Sequence, residues 1–296
     1  MAVALALLAA CAFALGSVLQ QKGTLEAPAG EDDPRFLVQI LRRPVWLLGG
    51  GMLAAGWVLQ AAALARGPLE VVQSLCALSL VIALPLGARI TNQRITPRVW
   101  RGAEAMVAGI VLFVIASGTQ VSHSLPSASE WWSAAVASLI IVGVLGTFGR
   151  LSHGSTRALL LGSAAGVAFA FQAAVTKVFV PLVGQGLSAI LSSWTPWALL
   201  ASALIGFVVQ QTALKTGVLA SAMASSSAVT LFASVWLGSA IFGESLSKGG
   251  WWAAANVIGL GLALIGIVLL SGAQAPAPHS PDAGAPSSPR LETGPR

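Results

Sequence analysis

Charge is scarce in this chain. Only 9% of the 296 residues are Asp, Glu, Lys or Arg, against roughly 25% in an ordinary soluble domain, and 56% are hydrophobic. That balance excludes a water-soluble globular domain and places the chain in a bilayer. Histidine is nearly as rare: His123, His153 and His279 fall in predicted loops or the tail, with no metal-binding partner at helical spacing. No convincing strand occurs, so no phosphate-cradling loop between strand and helix is available. With no stretch left over for a soluble catalytic domain, the chain is expected not to be an enzyme and to need no cofactor. The two cysteines, Cys11 and Cys76, sit inside apolar runs without ligand spacing and read as small buried apolar residues.

Long apolar runs are what the chain does have. About 20 residues of helix are needed to cross roughly 30 Å of hydrocarbon, and nine stretches qualify: 2–22, 45–65, 69–90, 98–118, 130–149, 157–181, 195–215, 218–242 and 250–271. The first has no basic leader, so it reads as a retained helix and not as a signal peptide. A net charge of +6 would suit nucleic acid, but its distribution argues otherwise. Alternating sides from the N-terminus, thirteen Lys and Arg residues collect on one face and three, Arg66, Lys177 and Lys248, on the other. Lys and Arg near helix ends mark the cytoplasmic side. The N-terminus is therefore expected outside and the C-terminus in the cytoplasm of a plasma membrane, with no nucleic-acid partner. Trp46 and Trp100 fall at inner ends and Trp131, Trp132, Trp194, Trp197, Trp251 and Trp252 at outer ends, as headgroup-level rings do; Trp57 and Trp236 lie mid-span.

One stretch occurs twice. Val58-Leu-Gln60-Ala-Ala-Ala-Leu64-Ala-Arg66-Gly67-Pro68-Leu69 and Val208-Val-Gln210-Gln-Thr-Ala-Leu214-Lys215-Thr-Gly217-Val-Leu219 match at a separation of 150 positions. Each predicts a helix with a basic residue at its end, a hinge (Gly67-Pro68, Gly217) and an immediate second helix. The endings Ala116-Ser117-Gly118 and Leu270-Ser271-Gly272 agree, so predicted helices one to four correspond to six to nine. Five crossings lie between the first and sixth, an odd number, so corresponding helices run in opposite directions. The expected fold is an all-α integral membrane protein of nine transmembrane helices, in two inverted-topology repeats with the fifth helix as unpaired inverter. Residues 1–118 form the first repeat, 119–129 an outer linker, 130–272 the second half, and 273–296 a disordered Pro-rich cytoplasmic tail. Asp33-Pro34 opens a short interfacial helix with Phe36, Leu37, Ile40 and Leu41 on one face. Close helix approach is expected at Gly143, Gly146 and Gly149 and at Gly162 and Gly166.

Three segments carry a family likeness: Gly16-Ser17-Val-Leu-Gln-Gln-Lys22-Gly23, Leu75-Cys76-Ala77-Leu78-Ser79 and Gly243-Glu244-Ser-Leu246. Over nearly all of residues 1–271 the chain resembles the drug/metabolite transporter (DMT) superfamily, EamA-like, in the nine-helix branch that includes the NIPA-type magnesium transporters. The resemblance implies that the nine helices match the last nine of a ten-helix plan. Where the magnesium branch shows Leu-Val-Thr-Pro-Leu-Gly-Ala-Leu-Ser, this chain has Val71-Val72-Gln73-Ser74-Leu75-Cys76-Ala77-Leu78-Ser79. Thr, Pro and Gly are replaced, so the ion does not follow from the likeness.

Polar groups in hydrocarbon are costly and each has a functional and a bland reading. Glu70, the acidic residue within a turn of an outer helix entrance, is a coupling carboxylate or gate, or a surface and packing residue; Arg66 lies four positions before it. Lys22 and Lys177 end paired helices, as symmetric ligands for an anion or as snorkelling cations. Gln20, Gln60, Gln73, Gln172 and Gln210, with Ser74, Ser221, Ser225, Thr230 and Asn256, form a neutral hydrogen-bonding set suited to a polar organic solute, although Ser and Thr in helices usually bond their own backbone. Glu244 reads as a loop charge, although it matches the family's Gly-Glu element. No two acids fall at one depth near the midplane, which counts against a dehydrated magnesium site.

The expected function is transport of a small solute, a metabolite or drug-like compound, by alternating access between inverted repeats. The alternatives are a magnesium or other divalent cation transporter of NIPA type and a non-transporting membrane scaffold. A polar cavity between predicted helices one, three, six and eight separates transporter from scaffold. The expected partners are the lipid bilayer and a small-molecule or ion substrate, with a homodimer as candidate assembly.

Overall fold

The computed structural model describes residues 1–25, 43–91, 97–117, 126–214, 219–244 and 250–271, and among them every regular element is a helix. They are α1 (Ala2–Leu25), α2 (Pro44–Leu64), α3 (Leu69–Ala77), α4 (Ser79–Thr91), α5 (Pro97–Ala116), α6 (Ala128–Leu151), α7 (Gly154–Val183), α8 (Leu187–Ser192), α9 (Thr195–Leu214), α10 (Leu219–Phe242) and α11 (Trp251–Ser271). Among the described residues, eight spans are long and apolar enough to cross a membrane, counting α3 and α4 together as Leu69–Arg89; α9 adds a shorter apolar stretch over Thr195–Gln210. The chain is thus an all-α, multi-pass membrane protein. The interfacial helix proposed after Asp33-Pro34, the hinge residue Gly217, most of the linker and the tail lie outside the described residues.

The helix ends follow local chemistry. Pro opens α2 and α5, where its missing N–H is not needed. Ser127 and Glu130 form a capping box at α6: the Ser127 hydroxyl accepts from the Glu130 N–H (3.3 Å) and the Ser127 N–H donates to Glu130 Oε2 (2.6 Å). Two features escaped the sequence. The third run, expected as one helix, is broken at Leu78, whose N–H bonds the Leu75 carbonyl at 3.1 Å in a tightened turn. The short helix α8 was not foreseen.

Glycines set the helix seams, because association in lipid depends on close packing. In α1 and α2, a methyl group on Gly16 would lie 2.9 Å from the Gly49 carbonyl oxygen, and one on Gly49 would lie 2.8 Å from that of Gly16. Pairing Phe13 with Gly56 and Gly23 with Trp46 makes these helices antiparallel. The seam between α5 and α11 has a stricter order. A methyl on Gly109 would lie 2.6 Å from the Gly259 carbonyl oxygen and against the Ala263 nitrogen; one on Gly259 would lie 2.8 Å from the Gly109 carbonyl oxygen and 2.7 Å from the Phe113 nitrogen. Gly109 and Gly259 are 150 positions apart, and so are Phe113 and Ala263. Each contact is therefore made twice with roles exchanged, as in a twofold interface. Gly266 against Met106 and Gly102 fixes this pair as antiparallel as well.

Gly162 and Gly166 of α7 meet the Ala222 and Ser226 carbonyls of α10, as expected, whereas Gly143 and Gly146 have nothing within 4 Å and only Gly149 of that trio is covered, by Leu161. That face of α6 is turned away from its neighbours. Cys76 is buried, but Cys11 is exposed on the outer side of α1, contrary to expectation. The mid-span Trp57 and Trp236 are likewise exposed, joining Val58, Leu139, Ile140, Phe207, Val257 and Ile258 in an apolar outer coat. Such a coat suits lipid contact. The core gathers Leu64, Leu69, Val72, Met106, Ile110, Leu231, Leu237 and Ile267.

Candidate functional site

The first N–H groups of any helix lack partners within it, and at α3 this need organises the site. α2 ends at a tight turn in which Gly67 packs on the start of α1; a methyl there would stand 2.7 Å from the Ala2 side chain. Pro68 (φ −61°, ψ 144°) then launches α3. The Leu69 N–H is satisfied from far away, by the Glu244 carboxylate at 3.1 Å (Oε1) and 2.9 Å (Oε2). Glu244 reaches it because Gly243, at φ 58°, turns the chain back at the end of α10, where the Glu244 N–H bonds the Gly238 carbonyl at 3.0 Å. A positive φ is the conformation only glycine takes without strain. Lys177 of α7 completes the group: its ammonium pairs with Glu244 Oε1 and stands 4.5 Å from the centre of the Phe242 ring.

Glu70, next to Leu69, is fully buried. Its carboxyl lies within hydrogen-bonding reach of Glu244, and both carboxyls rest on Gly238, where a methyl group would fall 2.7 Å from Glu70 Oε2 and 2.6 Å from Glu244 Oε2. No donor from another residue meets either oxygen of Glu70; only its own backbone N–H bears on the carboxyl. Arg66 does not serve it; its exposed guanidinium bends back to the Ala62 carbonyl at 2.8 Å. Two bland readings fail here. Glu244 is 3% exposed and no loop charge, and Lys177, 11% exposed, is paired with it instead of snorkelling. Lys22 ends α1 at the side of the bundle away from Gly67, so the two lysines stand at opposite ends.

Two glutamine contacts recur at the 150-residue offset of the doubled stretch. Gln60 Nε2 donates to Gln73 Oε1 at 2.9 Å, and Gln210 Nε2 approaches Met223 Sδ at 3.5 Å; both pairs are separated by 13 residues and are displaced from each other by the same 150. Substituting Met for the second glutamine leaves Gln210 Oε1 buried without a partner. Gln20 lies apart from the charged group, in the α1–α2 seam against Gly49, and Gln172 is half-buried on α7, its carbonyl accepting from Thr176 at 2.8 Å. The hydroxyls follow their bland reading: Ser74 bonds the Glu70 carbonyl (2.6 Å), Ser225 that of Ala222 (3.2 Å), and Thr230 those of Ser226 (2.7 Å) and Gly166 (3.2 Å). Asn256 Oδ1 accepts from Ser117 at 3.4 Å, and its Nδ2 is buried without a partner. The Ser221 side chain lies outside what is described.

The larger cavity, about 790 Å³, lies among α6, α7 and α9 and is walled by Trp131, Trp132, Phe171 and Trp194, with Ser138 and Ser202 as polar edges. Trp131 links it to the charged group, standing edge-on to Phe242 at 5.9 Å. A smaller one, about 420 Å³, lies beside Val81, Trp100 and Glu104. Neither is lined by the glutamines or by Glu70, and neither lies between α1, α3–α4, α7 and α10, where a polar cavity was expected to separate transporter from scaffold. No cluster of three or more His, Cys, Asp or Glu side chains that could hold a metal ion occurs among the described residues.

Comparison with known proteins adds a relative without a role. No family model matches the chain, and no solved structure does. An uncharacterized protein of Corynebacterium glutamicum is 26% identical over 272 residues, which are 91% of this chain and 92% of that one. The likeness therefore covers most of both chains.

Proposed function

We propose that the chain is a membrane transporter of the DMT type, not an enzyme, moving a small organic solute by alternating access between two inverted repeats. The observation that carries this reading is the α5–α11 seam, in which Gly109 meets Gly259 and each contact recurs with roles exchanged at an offset of 150 residues. Two further features support it. The Gln60–Gln73 and Gln210–Met223 contacts repeat at the same offset, and the start of α3 meets the end of its counterpart α10 through Leu69 and Glu244, as oppositely directed copies require. Inverted repeats of this kind make the two sides of the membrane near-equivalent, and substrate then exchanges between them near the midplane.

The two ends close differently. Lys177, Glu244 and the Leu69 N–H latch the end that carries Gly67, which positive-inside counting places outside. At the other end, the positions 150 residues away are Ala220 for Glu70 and Arg94 for Glu244, so no matching acid stands there. A buried ion pair adds specificity of arrangement more than net stability, which suits a contact that must break and re-form. Solute uptake by purified protein in liposomes tests the reading across a panel of metabolites and cations. Gradient-driven organic flux supports it; magnesium flux without organic flux moves the chain to the magnesium branch, and no flux of any kind leaves a scaffold.

A further inference from the structure

Glu70 is, among the described residues, the acidic side chain that is fully buried with no donor from another residue at either carboxyl oxygen. Its surroundings do not balance it. The nearby ammonium, Lys177, is committed to Glu244, and the Leu69 N–H is directed at Glu244 as well. Gly238 supplies the space: any larger residue there would displace both carboxyls. Two carboxyls in mutual hydrogen-bonding reach, in a site drained of water, do not both carry charge, because neither can donate to the other and their repulsion is unscreened. One hydrogen between them supplies the missing donor.

We infer that Glu70 and Glu244 together bind one proton, and that this proton is the coupling ion of the transport cycle, an inference that rests on the transport reading above. A metal ion fits the site poorly. Hard cations need six or more oxygen ligands or several bound waters, whereas the Glu244 oxygens are already engaged by Lys177 and the Leu69 N–H. With the proton bound, Glu70 donates to Glu244 and the latch holds. Its release to water at the hinge leaves two negative charges against one ammonium. They repel across the contact between the start of α3 and the end of α10, and that end of the bundle opens.

The other charged groups do not substitute for this pair. From α7 Lys177 faces Glu70, and from the end of α10 Glu244 does. In the α2–α3 turn Arg66 is exposed and turned to Ala62. The Met1 amino group is at the exposed start of α1, and Lys22 is at its far end. Arg98, Arg101 and Glu104 stand near the start of α5, beyond the far end of the span that Glu70 begins.

Infrared difference spectra of the full chain in lipid vesicles, recorded between acid and alkaline buffer, test this directly. A protonated-carboxyl band is expected in the wild type. It is lost in Glu70→Gln and kept in Glu104→Gln, whose site is exposed, and Glu70→Gln exchanges one proton fewer per chain in a dye titration. Glu70→Asp keeps the band at a shifted frequency, which guards against a Glu70→Gln chain that fails to fold. An unchanged band in Glu70→Gln overturns the proposal, as does displacement of the band by sodium or magnesium chloride at constant pH. Flux is measured separately: a band that behaves as expected in a chain that moves no solute removes the transport reading and leaves the proton site standing.

Discussion

Replacing Glu244 by Ala isolates the energy of the latch. In the wild type the Glu244 side chain is fully inaccessible and that of Lys177 is 11% exposed, so solvent screening, which reduces surface pairs to almost nothing, does not apply. Removing one member of a buried pair leaves the other uncompensated and costs about 3–5 kcal/mol; the lost acceptor at the start of α3 is of the kind that costs ~1 kcal/mol by itself. Glu244→Ala is therefore expected to lower unfolding free energy by about 3–5 kcal/mol. Lys177→Ala is milder, about 2–3 kcal/mol, because Glu244 keeps the Leu69 N–H as a charge-assisted donor. The double variant removes both charges together, so its loss falls short of the two single losses combined by about 2 kcal/mol or more. Reversible unfolding in mixed micelles of detergent and denaturant, read by tryptophan fluorescence, measures all three. A coupling within the ~0.5 kcal/mol expected of independent sites would refute the latch.

Further outcomes follow from the seams and turns. Gly109→Ala or Gly259→Ala drives a methyl group into the opposite backbone and is expected to cost about 1–3 kcal/mol, whereas Gly143→Ala, in open space, gains roughly 0.5–1 kcal/mol of helix preference; the same micelle assay ranks them. Gln60→Leu strands the buried Gln73 amide and is expected to cost about 1–3 kcal/mol, while Gln210→Leu removes an oxygen that is already unpartnered and leaves stability unchanged or raised, so the two matched positions respond differently. Gly243→Ala strains the backbone at φ 58° by an amount on the order of 1–3 kcal/mol and withdraws Glu244, so Lys177 becomes open to amine-reactive labels that leave the wild type unmodified at that position.

The doubled hinge stretch was legible because it is written locally. The hinge stretch carries Gln60 and Gln210 in matched registers, and the structure gives each a contact 13 residues onward. The apolar runs were equally plain, since a span needs only length and an absence of charge. Glu244 was misread because nothing within a few residues of it reports burial. A charged residue after Gly243 at a helix end looks like a solvated loop, and only the left-handed turn, the room at Gly238 and a partner 67 positions earlier bring it inside. Long-range pairing of this kind has no periodic signature. The same holds for the break at Leu78, which no Gly or Pro announces, and for Gly143 and Gly146, whose spacing suggests a seam that the neighbouring helices do not fill. Cys11 is exposed for a related reason: apolar sequence in a membrane chain says only that a residue avoids water, and lipid satisfies that as well as a core does.

The seam at Gly109 and Gly259 also constrains how the proposed halves can move. With two backbones in direct contact and no side chains between them, there is nothing to repack when the halves swing, and any sliding along the helices runs a carbonyl into its neighbour. A contact made between a residue and its own counterpart lies on the axis that relates the proposed copies, the place both halves share. In the proposed transport cycle these two glycines are the axle of the molecule: the latch at Glu244 travels, and the axle stays where it is.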